Sequence, residues 1–96
     1  MIDLQEHLVS TFNLVSSGFP NGISEGEYYP LVAVLYDEMS NRVLADFLSS
    51  VFAIEYEVAM NDVLVAASKF GSNVEAKNKI INRFDPALYE MWRSEP

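Results

Sequence analysis

Residues 18–40 read GFPNGISEGEYYPLVAVLYDEMS, and this stretch separates one predicted helix from a series of helices that follows. It holds three of the four glycines and two of the four prolines of the chain. Gly18 is typical of the residue just past a helix end, where a positive φ costs glycine little. Phe19-Pro20-Asn21-Gly22 is typical of a β-turn, because Pro20 presets φ at the second position. We expect the flanking Phe19 and Ile23 side chains to point inward.

Two starts compete for the helix that follows this turn. Ser24 with Glu27 three residues later has the spacing of a capping box. That start places Pro30 beyond the first turn, where proline removes a backbone donor that the helix needs. A start at Gly26 brings Pro30 close to the first turn, where the missing N–H costs little. We therefore favour the start at Gly26, or a short first turn that bends at Pro30, and expect a second helix over residues 27–39.

The apolar spacing predicts helices along the whole chain. Leu4, Leu8, Phe12 and Val15 recur at intervals of four, four and three, which is typical of one apolar stripe on a first helix over residues 3–17, with Asp3 as its N-cap. Ser40 is the expected N-cap of a third helix over residues 41–54, whose apolar density suggests a central position. A fourth helix is expected over residues 57–70. Its Val63-Leu64-Val65 run resembles a strand, but no second strand exists to pair with it.

The last two helices are predicted from their starting signals. Ser72 and Glu75 have capping-box spacing for a helix that runs to about residue 84. Asp85-Pro86 is a typical N-cap followed by proline at the first helical position, so a short C-terminal helix follows. The prediction is a single all-α domain over residues 1–96, a compact bundle of five main helices plus a short C-terminal one. The residues expected to be largely buried are Leu8, Phe12, Leu35, Phe47, Leu48, Val51 and Phe70.

The composition limits the class of protein. The chain has 96 residues, half of them hydrophobic, and this is too apolar for a disordered protein and sufficient for one small core. It has no cysteine, so we expect no disulfide framework and no thiolate chemistry. The N-terminal MIDLQEHLV lacks the basic region of a signal peptide, and no uncharged run is suited to cross a membrane. We therefore expect a soluble cytoplasmic protein.

The charge is distributed unevenly around a net value of −8. Residues 21–62 hold eight acids against Arg42 alone, whereas residues 63–96 hold five bases and four acids. An acidic middle argues against binding to a phosphate backbone. It is compatible with a basic partner, and equally with a solvated surface that only keeps the domain soluble.

A resemblance to a known family rests on residues 18–48, GFPNGISEGEYYPLVAVLYDEMSNRVLADFL. Phe19-Pro20-Asn21-Gly22, Glu27-Tyr28-Tyr29-Pro30-Leu31 and Met39-Ser40 are similar to motifs of a small helical family catalogued as domain of unknown function 3349, found mainly in mycobacteria and their relatives. The resemblance implies a compact all-helical fold and no assigned activity. That family usually has basic residues where Tyr36-Asp37-Glu38 stand in this chain, so no basic surface is implied here.

The chain offers few candidates for chemistry. His7 is the only histidine, with Asp3 and Glu6 near it, and a zinc site usually needs more nitrogen or sulfur ligands than that. Neighbouring carboxylates on a helix do not converge, and no nucleophile motif, phosphate loop or calcium loop accompanies them. We therefore predict no enzyme, no metal site and no cofactor.

A helix-turn-helix remains an alternative for the C-terminal half. Lys77, Lys79 and Arg83 fall on the predicted fifth helix, after a turn of suitable length at Gly71-Ser72-Asn73. Three basic residues on one helix are usually a solvated face, and the remainder of the domain is acidic. We therefore expect no nucleic acid partner.

Two function hypotheses remain. The first is a non-enzymatic protein-interaction module. Its acidic second helix, or the aromatic corner around Tyr28 and Tyr29, binds a partner. The second is an inhibitor or immunity-type protein that neutralises a basic enzyme. The candidate partner-binding residues are Glu25, Glu27, Tyr28, Tyr29, Asp37 and Glu38. The partner is an unknown protein, and a basic surface on it would fit the charge of this chain.

Overall fold

A computed structural model of the protein describes the backbone of residues 4–94 and the side chains of residues 8–94. This part of the chain contains six helices and no strand, so the all-α prediction is confirmed. The helices are α1 (Leu4–Gly18), α2 (Glu25–Tyr36), α3 (Asn41–Phe52), α4 (Tyr56–Phe70), α5 (Val74–Ile81) and α6 (Pro86–Arg93). The last two have eight residues each, so the bundle has four longer helices and two short ones rather than five and one.

The buried face of α1 differs from the predicted stripe. Thr11, Leu14 and Val15 are buried, whereas Phe12 is 49% exposed and Leu8 is only partly buried. Thr11 faces inward because its hydroxyl accepts a hydrogen bond from the indole N–H of Trp92, at 2.8 Å, on α6. One residue further along a helix points about 100° away, so Phe12 is turned towards solvent. The predicted cap Asp3 and the side chain of Leu4 lie outside the described residues.

The corner after α1 depends on two glycines for different reasons. Gly22 has φ +95°, and its N–H donates to the Phe19 carbonyl at 3.1 Å, which closes the expected turn. Gly18 instead ends α1 without a positive φ, contrary to our expectation. A Cβ on Gly18 would lie 2.9 Å from Phe84 Cδ1 and 3.0 Å from the Arg83 carbonyl oxygen, so glycine is required there for close packing. Phe19 is buried as predicted, and Ile23 packs against the edge of the core.

The second helix begins after Ser24, and the preferred start at Gly26 was wrong. The backbone N–H and the hydroxyl of Ser24 both donate to Glu27 Oε1, at 3.3 and 2.8 Å. Pro30 is therefore inside the helix and cannot donate to the carbonyl of Gly26. Gly26 lies in the exposed first turn, where water can hydrate that carbonyl. The free-energy cost of the hydrogen bond that is lost at Pro30 is consequently small, so it does not prevent a helix start after Ser24.

The central helix is α2 rather than α3. Six consecutive residues, Pro30–Leu35, are buried, and this helix packs against α3, α4 and α5. A helix that is buried on every side lacks the polar stripe of a surface helix. In α3 only one face is buried, formed by Leu44, Ala45, Phe47 and Leu48. Of the seven predicted core residues, Leu35, Phe47 and Leu48 are fully buried, Leu8 and Phe70 are partly buried, and Phe12 and Val51 are exposed.

Side-chain caps define the starts of α3, α5 and α6. Ser40 Oγ accepts from the N–H of Val43, as expected. For α5 the N-cap is Asn73 rather than Ser72, because Asn73 Oδ1 accepts from the N–H of Ala76 at 3.0 Å. Asp85 caps α6 as predicted and accepts from two backbone N–H groups of its first turn. Val63-Leu64-Val65 lies within α4, so the helical interpretation of that run is confirmed.

Two phenylalanines provide a matched test of the core. Phe47→Ala removes a side chain that is 1% exposed, and we expect it to lower the free energy of unfolding by about 3–5 kcal/mol through lost transfer energy and a cavity. Phe12→Ala makes the same chemical change at an exposed position and should cost less than about 1 kcal/mol. Urea unfolding of both variants measures the difference. Equal losses would contradict the assignment of the core.

We expect substitution by alanine to lower the stability at one glycine and to raise it at another. Gly18→Ala forces a Cβ against the backbone of Arg83, and we expect a loss of about 1–3 kcal/mol. Gly26→Ala adds a methyl group where nothing lies within 4 Å, in a helix, and should raise stability by about 0.5–1 kcal/mol. Thermal unfolding of the two variants tests this. A loss of stability on Gly26→Ala would show that the first turn of α2 is not helical.

Candidate functional site

The predicted acidic residues of the α2 region are largely neutralised within the protein. Lys77 Nζ lies 2.6 Å from Asp37 Oδ2, and Arg93 Nε lies 3.4 Å from Glu38 Oε1. Glu27 forms an ion pair with Arg83. Each of these three bases comes from the C-terminal third of the chain. Among the predicted acidic site residues, only Glu25 has no ion pair within the described residues.

Lys77 is largely buried and has a second partner besides Asp37. Its side chain is 14% exposed, and its ammonium also donates to the carbonyl of Gly71 at 2.9 Å. A charge that is this far removed from water needs such partners, because burying it unpaired would be costly. Lys77 is therefore part of the connection between α5 and the end of α2. It is not available to contact nucleic acid, as the helix-turn-helix alternative requires.

Arg83 holds the corner after α1 in place. Its Nε donates to the carbonyl of Gly18 at 3.1 Å, and its guanidinium carbon lies 4.2 Å from the centre of the Phe19 ring. The same guanidinium pairs with Glu27 at the start of α2. The pKa of Glu27 is lowered, first by the hydrogen bond from Ser24 and then by the charge of Arg83. Of the three bases in the helix-turn-helix alternative, only Lys79 is exposed and without an ion pair in the described structure.

The two predicted tyrosines connect α2 to α4. The hydroxyl of Tyr28 donates to Asp62 Oδ2 at 2.8 Å, and that of Tyr29 donates to Asp62 Oδ1 at 3.4 Å. Tyr28 also lies edge-on against Phe52, with ring centres 5.5 Å apart. The pKa of Tyr28 is raised mainly by burial and secondly by its hydrogen bond to Asp62. The pKa of Tyr29 is also raised, mainly by the charge of Asp62. Both rings pack at the edge of the core.

The junction of α3 and α4 carries acids that the protein does not neutralise. Glu55 and Glu57 are exposed, and neither forms an ion pair within the described residues. No Lys, Arg or His occurs between Arg42 and Lys69, so the sequence supplies no local base. Exposed apolar side chains lie beside these acids: Val58 is 47% exposed and Tyr56 is 39% exposed.

The backbone at this junction is held in a tight turn. Ala53 adopts a left-handed conformation with φ 55°, and the hydroxyl of Ser49 donates to the Ile54 carbonyl at 2.7 Å. A left-handed residue at the end of a helix reverses the chain direction within a few residues. Residues 55–58 therefore project as a consecutive exposed segment at the start of α4. We define the α3–α4 junction as residues 51–58.

A groove lies between the first turns of α2, the end of α4 and α5. It has a volume of about 510 Å³ and is open to solvent. Pro30, Phe70 and Ile80 form its apolar part, and Gly26 leaves one wall without a side chain. Glu75 and Lys79 lie on α5 along its exposed edge. Sequence reasoning missed this groove because its residues come from three helices, and no local pattern indicates that α2 and α5 pack together.

The described residues contain no group of three or more His, Cys, Asp or Glu side chains that could hold a metal ion. The side chain of His7, considered above as a metal ligand, lies outside the described part of the chain. No helix between residues 4 and 94 has the length and apolar character needed to cross a membrane.

The chain matches no family model, no curated protein and no solved structure. The resemblance of residues 18–48 to the family of unknown function stays a prediction.

Tyr28→Phe tests the connection between α2 and α4. The variant keeps the ring and loses the hydrogen bond to Asp62, and we expect a loss of about 1–2 kcal/mol at neutral pH. Tyr56→Phe is the matched control, since its hydroxyl has no hydrogen bond within the described residues and it should be nearly neutral.

The pH dependence of the same variant has a defined sign. Folding raises the pKa of Tyr28, so the unfolded chain loses this proton first, near pH 10. The stabilisation is complete below that value and is lost as pH rises above about 10. The stability difference between wild type and Tyr28→Phe should therefore shrink in alkaline solution. Urea unfolding across this pH range measures it, and a constant difference would contradict the Tyr28–Asp62 bond.

Proposed function

We propose that this chain is a non-enzymatic, cytoplasmic protein-interaction module that binds a basic partner through the α3–α4 junction. The observation that carries the proposal is the division of charge. The bases Lys77, Arg83 and Arg93 pair with acids in and just after α2, whereas Glu55 and Glu57 have no ion pair with any described residue. Within the described residues, Glu55 and Glu57 therefore leave uncompensated negative charge at the start of α4.

The mixed chemistry of the junction also supports a protein partner. Tyr56 and Val58 present apolar surface between exposed carboxylates. Interfaces commonly combine an aromatic or aliphatic contact with charges that select the partner and speed its approach. A basic segment with apolar side chains of its own complements both features of this surface.

The second candidate is an inhibitor or immunity-type protein that neutralises a basic enzyme. The same uncompensated acids favour it, because an acidic surface steers a basic enzyme into contact. The two candidates share a surface and differ in the outcome for the partner. Loss of the captured protein's catalytic activity on binding would assign the inhibitor role.

The proposed binding residues at the α3–α4 junction include none of the six predicted in α2 and its ends. Reversing the charge of Glu27, Asp37 and Glu38 would place lysines against Arg83, Lys77 and Arg93, so it would test stability as well as binding. Glu25 remains exposed and free of such a pair within the described residues. The informative substitutions for binding are consequently those at the α3–α4 junction.

A double neutralisation tests the proposal. Glu55→Gln with Glu57→Gln removes two charges from the junction and should cost little stability, because both residues are exposed. The control Glu25→Gln with Glu75→Gln removes two acids that are likewise exposed and have no ion pair within the described residues. Affinity capture from the source cells should recover a basic protein with wild type and the control and lose it with the junction variant.

Purified partner then provides the quantitative measurement. Its association rate with wild type should fall steeply as salt concentration rises, and less steeply with the junction variant. Equal recovery and equal salt dependence for the junction variant and the control would overturn the proposal.

A further inference from the structure

We propose that the groove between α2, α4 and α5 binds a small zwitterion with an apolar side chain, of the class of the free aromatic and large aliphatic amino acids. This site is separate from the α3–α4 junction and does not depend on the function proposed above. Its volume of about 510 Å³ lies in the range of small-ligand sites, which are mostly apolar with a few placed polar groups.

The apolar part of the groove can take the side chain of such a ligand. Phe70 is only partly buried, so it offers apolar surface to the groove, and the buried Ile80 and Pro30 complete the apolar lining. Gly26 widens the groove, since even a Cβ there would meet no atom within 4 Å. Burial of an aromatic or aliphatic side chain against this surface supplies the apolar share of the binding free energy.

The charged edge matches a zwitterion rather than a simple anion or cation. Glu75 and Lys79 are four residues apart on α5, which places them one turn apart on the same side of the helix. This spacing favours an ion pair, yet the two side chains form none in the structure. Among the described residues, the Glu75 carboxylate and the Lys79 ammonium therefore have no ion pair, and they lie side by side for a ligand that carries both opposite charges.

The other two charges of the groove are already engaged. Glu27 is bound by Ser24 and Arg83, and Arg83 is bound by Glu27 and the carbonyl of Gly18. A ligand with a carboxylate alone would meet the unpaired charge of Glu75, and a ligand with an amine alone would meet that of Lys79. The recognition chemistry is thus an ammonium on Glu75, a carboxylate on Lys79 and an apolar body on Pro30, Phe70 and Ile80.

Titration of the isotope-labelled protein with L-phenylalanine, followed by amide NMR shifts, tests the proposal. We expect saturable shifts confined to the start of α2, the end of α4 and α5, with a Kd of about 1 mM or tighter for a ligand of this size. Phenethylamine lacks the carboxylate and 3-phenylpropionate lacks the ammonium, so each should bind at least about fivefold more weakly. N-acetyl-phenylalanine amide, which carries neither charge, should bind more weakly still.

Variants locate the binding to the groove. Gly26→Leu fills the open wall and should abolish the shifts, while Asn61→Leu adds the same side chain at an exposed position of α4 away from the groove and should leave them unchanged. Lys79→Gln should weaken binding of L-phenylalanine but not of phenethylamine. The proposal is overturned if no localised shifts saturate, if the analogues bind as tightly as L-phenylalanine, or if Gly26→Leu binds like wild type.

Discussion

The contact between the end of α1 and the segment that joins α5 to α6 is the constraint on which the rest of the structure depends. Gly18 has no side chain, so the backbone of Arg83 can approach it closely. Arg83 then reaches back to the carbonyl of Gly18, covers Phe19 and pairs with Glu27. The N–H of Asp85 donates to the Ser17 hydroxyl at 3.1 Å, and Phe19 meets Phe84 edge-on. Residues more than sixty positions apart in sequence are joined here by several polar contacts and an aromatic contact.

This contact determines how the charges of the chain are distributed. Because the C-terminal third is folded against α2 and its ends, Arg83, Lys77 and Arg93 come to lie beside Glu27, Asp37 and Glu38. Individually, exposed ion pairs of this kind contribute little stability. Their larger effect is on the surface charge: Lys77, Arg83 and Arg93 are neutralised, whereas Glu55 and Glu57 at the start of α4 have no base beside them among the described residues. The distribution of charge over the folded surface therefore differs from its distribution along the sequence.

The same packing leaves the groove open. The first turns of α2 carry Gly26 and the proline that interrupts its hydrogen-bond ladder, and neither fills the space in front of α5. Glu27 contacts Ser24 and Arg83, and it does not pair with Lys79. Lys79 and Glu75 therefore remain as free groups at the edge of an apolar surface.

Local chemistry in the sequence determined the helices and the starts of α3 and α6. The caps Ser40 and Asp85 and the turn at Gly22 act within three or four residues, so their patterns could be interpreted without tertiary information. The start of α2 was misjudged because the penalty for Pro30 depends on whether the Gly26 carbonyl is exposed, which is a tertiary property. Phe12 was misjudged for a similar reason, since α6 selects Thr11 as the inward residue.

The candidate sites were decided by tertiary structure alone. An acidic residue has the same appearance in sequence whether it is neutralised, like Asp37, or free, like Glu57. The distinction depends on which base folds against it, and that base is 40 positions away in the case of Lys77. The groove likewise requires Pro30, Phe70 and Ile80 to converge from three helices. Helical periodicity encodes which side of a helix is apolar, but it carries no information on which helix will cover that side.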